Sequence, residues 1–307
     1  MRTDGLCLVL LSTIAISISA SLPAQAQRAR VFVSVNGNDS NPCTGGSPCK
    51  TFQHAHDVVL AGGEISVLDT GGYGTIIISK AISIVAVGFE ASIATTSGQT
   101  AITIMAGTND KVSLQGLTLD GANTGQNGVE FDTGGALTIK DSVIRNFVGA
   151  GVYYIPTAGG SEFLVSDTLV ADNKLRGIHV LASGAVVGAA FNRVEVSNNG
   201  SDGFFIESTG LGGITATVSE SVVANNGGVG FNASGSSTNV SLFHSIATNN
   251  LTCLQAASGV DMIIAQCHVT ENGQSWNNTA TMHTFGDNYF YGGAIANAGT
   301  LTSVAKQ

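Results

Sequence analysis

Apolar residues in this chain recur at i, i+2 in short runs that return at a fixed spacing. One series is Leu137/Ile139, Phe163/Val165, Ala189/Phe191, Ala216/Val218, Val240/Leu242 and Met262/Ile264. A second follows a recurrent glycine, at Gly128, Gly151, Gly177, Gly203 and Gly230, with Cys253 in the next place. It runs Val129/Phe131, Val152/Tyr154, Ile178/Val180, Phe204/Ile206, Phe231/Ala233 and Leu254/Ala256. Period-2 alternation predicts strands with one buried face. A third stretch of six residues starts at Gln115, Asp141, Asp167, Arg193, Glu220, His244 and Gln266, and successive starts differ by 26, 26, 26, 27, 24 and 22 residues.

Three short strands per unit cannot bury a face alone, but stacked units give every apolar column a neighbour above and below. The pattern therefore predicts an all-β chain, a single-stranded right-handed parallel β-helix with one coil per repeat and coils about 4.8 Å apart. Leucine-rich repeats share the period, but their L-x-x-L-x-L-x-x-N pattern is missing. A WD40 propeller needs roughly 40 residues per unit. Expected boundaries are 1–26 for a leader, 27–75 for an entry strand, cysteine loop and capping helix, 76–282 for the coils, and 283–307 for a terminal strand or cap.

Each unit ends in a turn with a constant polar signature. The first turn column is Asp120, Asn146, Asp172, Asn198, Asn225, Asn249 and Glu271; the second holds Gly121 and Phe147, then Asn173, Asn199, Asn226, Asn250 and Asn272. Asparagine tolerates the left-handed conformation of a tight corner, and stacked amides can bond backbone groups and each other. The second column is expected to form a structural Asx ladder. In the first five places of the first column Asn146 and Asn198 separate the carboxylates, which would repel at coil spacing.

Composition narrows the function. The chain has 307 residues, 40 Gly against 4 Pro, 43% hydrophobic and 11% charged residues, and a formal net charge of -9. With 12 Lys and Arg against 21 acidic residues there is no basic footprint for nucleic acid or anionic lipid. Arg2, the apolar stretch from Leu6 to about Ala20, and Ala24-Gln25-Ala26 read as a secretory signal peptide cleaved after Ala26. The run is too short and Ser-rich to span a membrane, so a secreted or periplasmic protein is expected. Cys7 would leave with the leader. Cys43 and Cys49 bracket PCTGGSPC and are expected to close it as a disulfide in an oxidising compartment. A metal pair is the weaker reading, since no second Cys or His pair lies nearby at finger spacing. Thr51 to Ala61 places Phe52, Ala55, Val58 and Val59 on one helical face ending at Gly62-Gly63, which suits a plug for the N-terminal end of the core. His54 and His56 are two apart and do not share that face.

The stretch from Val31 to Gly74 resembles the entry module of secreted bacterial right-handed β-helix proteins of the pectin-lyase-like superfamily. The matching elements are Gly37 and Asp39, Pro42-Cys43, Cys49, Lys50-Thr51-Phe52, Gly62 to Ile65, Val67 to Asp69, Gly72 and Tyr73. The resemblance implies the β-helix fold and a polysaccharide partner, with acidic polysaccharide the first expectation. It does not fix an activity.

The polygalacturonase pattern of N-T-D-G, D-D, G-H-G and R-x-K is not met. Only Asp202, in Asn199-Gly-Ser-Asp-Gly-Phe, is similar to its first element. An inverting glycosidase needs two carboxyl groups with a water between one of them and the sugar. A lyase or epimerase needs a base beside the uronate carboxylate and a cation to absorb charge. The outward column Glu130, Tyr153, His179, Phe205, Asn232 and Gln255, flanked by Arg176 and Asp202, offers His179 or Tyr153 as base and Arg176 as cation. The D-P-H-D motif of alginate epimerases is absent. Tyr153, Phe205 and Glu130 serve equally for non-catalytic glycan binding, with sugar faces stacked on the rings. A Ca²⁺ site would want several convergent carboxylates, and no such cluster stands out, so no cofactor is expected.

The reading is an exported β-helix that binds or associates with extracellular polysaccharide. A lyase or C5-epimerase using His179, Arg176 and Asp202 is the alternative, and a structural or adhesive surface module a further one. In a second outward column, Asp141, Asp167, Arg193, Glu220 and His244, Asp141 and Asp167 stand one coil apart, near the separation of a retaining carboxylate pair. Arg193 between Asp167 and Glu220 favours a surface charge ladder instead. Val143, Leu169, Val222 and Ile246 also point outward in this register, interrupted by Glu195. Such an apolar stripe would suit self-association or a packed loop; a shift of one residue would turn it inward.

Overall fold

The strand that follows each recurrent glycine pairs only with its counterparts one coil away. The structure, a computed structural model, describes residues 28–157 and 159–305; the expected signal peptide lies outside the described residues. Nine such strands, from Ile76–Ile78 to Gln274–Asn278, stack in parallel as one sheet. In its register Val129, Val152, Ile178, Phe204, Phe231 and Leu254 stand one above another. A second sheet of 20 strands takes the other two strands of each coil, bent at a corner. Gly160–Ala171 and Val186–Ser197 continue through that corner, turning at Asp167 and Arg193, and pair in parallel on both sides of it. The result is a right-handed parallel β-helix, all-β with one short helix among the described residues.

Inward positions fill the tube. Phe131 and Tyr154 stack at 4.3 Å, Tyr154 and Phe163 at 4.4 Å, and the series continues through Phe191, Phe204 and Phe231. Each ring pair contributes on the order of 1 kcal/mol beyond its buried area.

Both turn columns have a defined backbone task. Asn146, Asp172, Asn198, Asn225 and Asn249 have φ between 55° and 62°. Beside them the second column makes a continuous amide chain. Asn173 donates from Nδ2 to Asn199 Oδ1 at 2.9 Å, Asn199 to Asn226 at 3.0 Å, Asn226 to Asn250 at 2.9 Å and Asn250 to Asn272 at 3.1 Å. The same oxygens accept the backbone N–H one coil below, as from Asn199 at 3.1 Å and Asn226 at 3.1 Å. This ladder explains the neighbouring glycine column: a Cβ on Gly177 would lie 2.3 Å from Val196 Cγ1 and 2.9 Å from Asn199 Nδ2.

The opposite corner carries a feature the repeat pattern did not suggest. Asp141, Asp167, Arg193, Glu220, His244 and Gln266 all have φ between 47° and 53°. A left-handed conformation costs such residues roughly 1–2 kcal/mol each. The residue after the corner compensates in most coils. Ser142, Thr168, Ser221 and Ser245 turn their hydroxyls inward and donate to the carbonyl of the residue before the corner at 2.7 to 2.8 Å. Ser142 and Ser221 also accept the N–H of Leu117 and Val194. Cys267 continues the column as a buried thiol 3.3 Å from the Ala265 carbonyl.

At the N-terminal end the helix is Phe52–Val58, with the Thr51 side chain accepting the N–H of His54. It is shorter than the sequence suggested and does not end at Gly62-Gly63. Val59 already adopts extended backbone and pairs with Arg28, so strand Val59–Val67 begins at once and Gly62, at φ 77°, lies inside it. Pairing to the first strand overrides helical propensity there. Cys43 and Cys49 are disulfide-bonded beside this helix. The outer stripe does face outward: Val143, Leu169 and Val222 are half-buried and Ile246 is exposed, while Ile144, Val170, Val223 and Ala247 behind them are buried.

Candidate functional site

The outer face of the nine-stranded sheet gathers the chemically distinctive residues. Glu130, Tyr153, His179, Phe205, Asn232 and Gln255 are aligned in register on successive coils. Parallel pairing at coil spacing forces these side chains into contact. The His179 imidazole lies 5.0 Å from the Tyr153 ring and 4.9 Å from the Phe205 ring, inclined to them by 27° and 32°. Sandwiched this way, an outward residue is only 6% exposed.

Charged groups border the rings. Arg176 places its Cζ 4.5 Å from the Phe205 centroid, with Nε 3.8 Å from Asp202 Oδ2. Asp202 is held in place, its Oδ1 accepting the Val229 N–H at 2.8 Å and its Oδ2 the Asn232 amide at 3.1 Å. Glu130 accepts from Thr100 at 3.2 Å and Asn127 at 3.0 Å. His179 Nε2 stands 3.6 Å from Glu207 Oε2 and is buried without a hydrogen bond. At that length the contact is too long for one. Burial, then the nearby Arg176 charge, lowers the His179 pKa to about 3, so the imidazole is neutral at ordinary pH and the pair is not a salt bridge. Burial, then the negative charge of Glu130, raises the Tyr153 phenol. Burial and Glu130 likewise raise the Asp132 carboxyl.

A cavity of about 220 Å³ opens beside the rings, lined by Gln126, Asn127, Tyr153, Leu175, Arg176 and His179. A hollow of about 390 Å³ continues the same face toward the N-terminus, between Gln53, Ile77, Gln99, Thr100 and Thr103. A larger one, about 640 Å³, lies on the second sheet around Gly259, Asp261 and His283. It has neither stacked rings nor an arginine, and we place the candidate site at the aromatic column.

All six residues singled out from the sequence, His179, Arg176, Asp202, Tyr153, Phe205 and Glu130, meet on this face. Asp132 and Glu207 were missed, although each lies two residues beyond a member of the column and so shares its outward side. The second column is occupied differently. Arg193 makes a two-pronged contact with Asp167, Nε to Oδ1 at 2.7 Å and Nη2 to Oδ2 at 3.0 Å, and reaches Glu220 at 3.7 Å. Asp167 is thereby committed to its neighbour. Among the described residues, Cys43, Cys49 and His54 bring three metal-ligating side chains within 4.8 Å of one another, and the two sulfurs are joined in the disulfide.

The coil geometry defines a right-handed parallel β-helix, and the aromatic column lies on its outer face. Solved structures of similar shape include a rhamnogalacturonan lyase (TM-score 0.54, 13% identity, 89% of this chain and 87% of that one). The pectate lyase Pel9A (0.52, 14%, 89% and 79%) and the Dettilon tailspike protein (0.50, 12%, 90% and 68%) are similar too. At these identities the likeness is one of fold. No family model matches the chain, and no curated protein matches it in sequence. No helix among the described residues is long and apolar enough to cross a membrane.

Proposed function

We propose that this protein is an exported polysaccharide-binding β-helix, and that a glycan chain lies along the coil axis over Tyr153, His179 and Phe205 without being cleaved. The observation that carries the reading is the stacked outward column itself, with the His179 ring 5.0 Å from Tyr153 and 4.9 Å from Phe205, and its protonation chemistry supports it. A general base works best with a pKa near the working pH. His179, at about 3, is a weak proton acceptor, while the phenol of Tyr153 is shifted away from ionisation. Neither is tuned to take a proton, while the part-exposed Tyr153 and Phe205 offer ring surface for sugar stacking, bordered by side chains able to bond hydroxyls. The fold's likeness to a pectate lyase and a rhamnogalacturonan lyase makes polysaccharide the partner class to test first, acidic chains among them. The same likeness sustains a lyase or epimerase as the second reading, with Arg176 as the cation. The leader-like pattern of the sequence over 1–26 supports export.

A glycan array tests this, read with wild type, Tyr153→Ala and Phe205→Ala, alongside an absorbance assay for unsaturated uronate product. Binding lost in both variants with no product is the expected outcome. Product formation would replace the reading by the lyase.

A further inference from the structure

We infer that the groove takes a glycan free of carboxylate and sulfate groups. The inference rests on the glycan-binding reading and adds the charge class of the ligand. Four carboxylates, Glu130, Asp132, Asp202 and Glu207, surround the rings against one guanidinium, Arg176. That cation sits beside Asp202 at 3.8 Å and over Phe205 at 4.5 Å, so its charge is offset locally although its Nε makes no hydrogen bond. His179 adds no charge, being neutral.

Two groups inside the groove report the sign of the local field. Burial is the largest cause of the raised Asp132 and Tyr153 pKa values, and charge adds to it: Glu130 disfavours ionisation of both, and Glu207 and Asp132 act on Tyr153 in the same sense, against Arg176. A uronate or sulfate laid on the rings would meet the same repulsion. An uncharged sugar would not. Its C–H face can cover Tyr153 and Phe205 while its hydroxyls donate to the carboxylates, in hydrogen bonds stronger than neutral pairs. The adjoining hollow agrees: Gln53, Thr75, Ile76, Ile77, Gln99, Thr100 and Thr103 include no charged side chain. Both hollows lie on one face with a repeat of about 4.8 Å, so a single chain can run through them without leaving an uncharged or acidic surface.

The test is calorimetric titration of the whole protein with neutral hexasaccharides, mannohexaose, cellohexaose and the best neutral array hit, and with hexagalacturonate, at low and high salt. The expected result is binding of a neutral chain that Tyr153→Ala removes, with hexagalacturonate weaker and strengthened by added salt. The double variant Asp132→Asn with Glu207→Gln is expected to gain affinity for hexagalacturonate on the order of tenfold. Hexagalacturonate binding more tightly than every neutral chain, and weakening as salt rises, would overturn the inference and leave the groove intact. No gain in the double variant would also count against it. Binding of no glycan of either class would remove the groove reading itself.

Discussion

Asn199 donates from Nδ2 to Asn226 Oδ1 at 3.0 Å, and the same oxygen accepts the Asn199 backbone N–H at 3.1 Å. One amide thus closes two donors of the coil below, 27 residues away in sequence. Repeated from Asn173 to Asn272, this contact pins each corner to the next and holds the outer groove in register.

Asn199→Ala is therefore expected to destabilise the protein by about 3 kcal/mol, since it strands the buried N–H and amide of Asn173 at roughly 1–3 kcal/mol per unsatisfied group. Asn198→Gly, at the adjacent exposed corner with φ 57°, is expected to be close to neutral. Urea unfolding of the two variants against wild type checks the contrast. Equal losses would mean that the ladder is not what holds the corner.

Gly177→Ala is expected to cost about 1–3 kcal/mol through overpacking. Its added carbon would meet Val196 Cγ1 at 2.3 Å and the Gly203 carbonyl at 2.8 Å. Adding Val196→Ala removes the first clash and not the second, so a double-mutant cycle should show partial recovery. Full additivity of the two losses would contradict the packing.

Stability should depend on pH through His179. Its folded pKa of about 3 lies below the ordinary value of 6.5, so burial of the neutral ring favours the fold fully above about pH 6.5. That contribution is lost as pH falls from 6.5 toward 3, by a few kcal/mol at most. His179→Gln should flatten this part of a melting-temperature profile measured from pH 7 to pH 4. An unchanged slope would show that the imidazole is not buried neutral.

The disulfide closes a loop of sequence separation 6 at the entry module. Cys43→Ser with Cys49→Ser is expected to cost about 2 kcal/mol by loop-closure entropy. The loss should appear as faster hydrogen exchange around Phe52–Val58, which packs beside it, with the distant coils less affected. Uniform acceleration along the chain would mean that the cap and coils unfold as one unit.

The sequence by itself determined the coil. Alternating apolar pairs, a glycine before one strand and asparagines after another are local requirements of burial, close packing and left-handed corners, and they return every 22 to 27 residues. The outward placement of Tyr153, His179 and Phe205 followed from the same alternation. What only the tertiary structure decided depends on neighbours in the next coil. His179 became a buried neutral ring because aromatic residues stand 26 positions before and after it. Arg193 and Glu220 could occupy left-handed corners because a serine or its neighbour in the stack supplies the hydrogen bond. Asp132 and Glu207 join Glu130 in disfavouring ionisation of the half-buried Tyr153 phenol because folding sets them on the same outward face. Charge and burial act through space at coil spacing, and a sequence read along its length carries only the alternation that brings those groups to the same face.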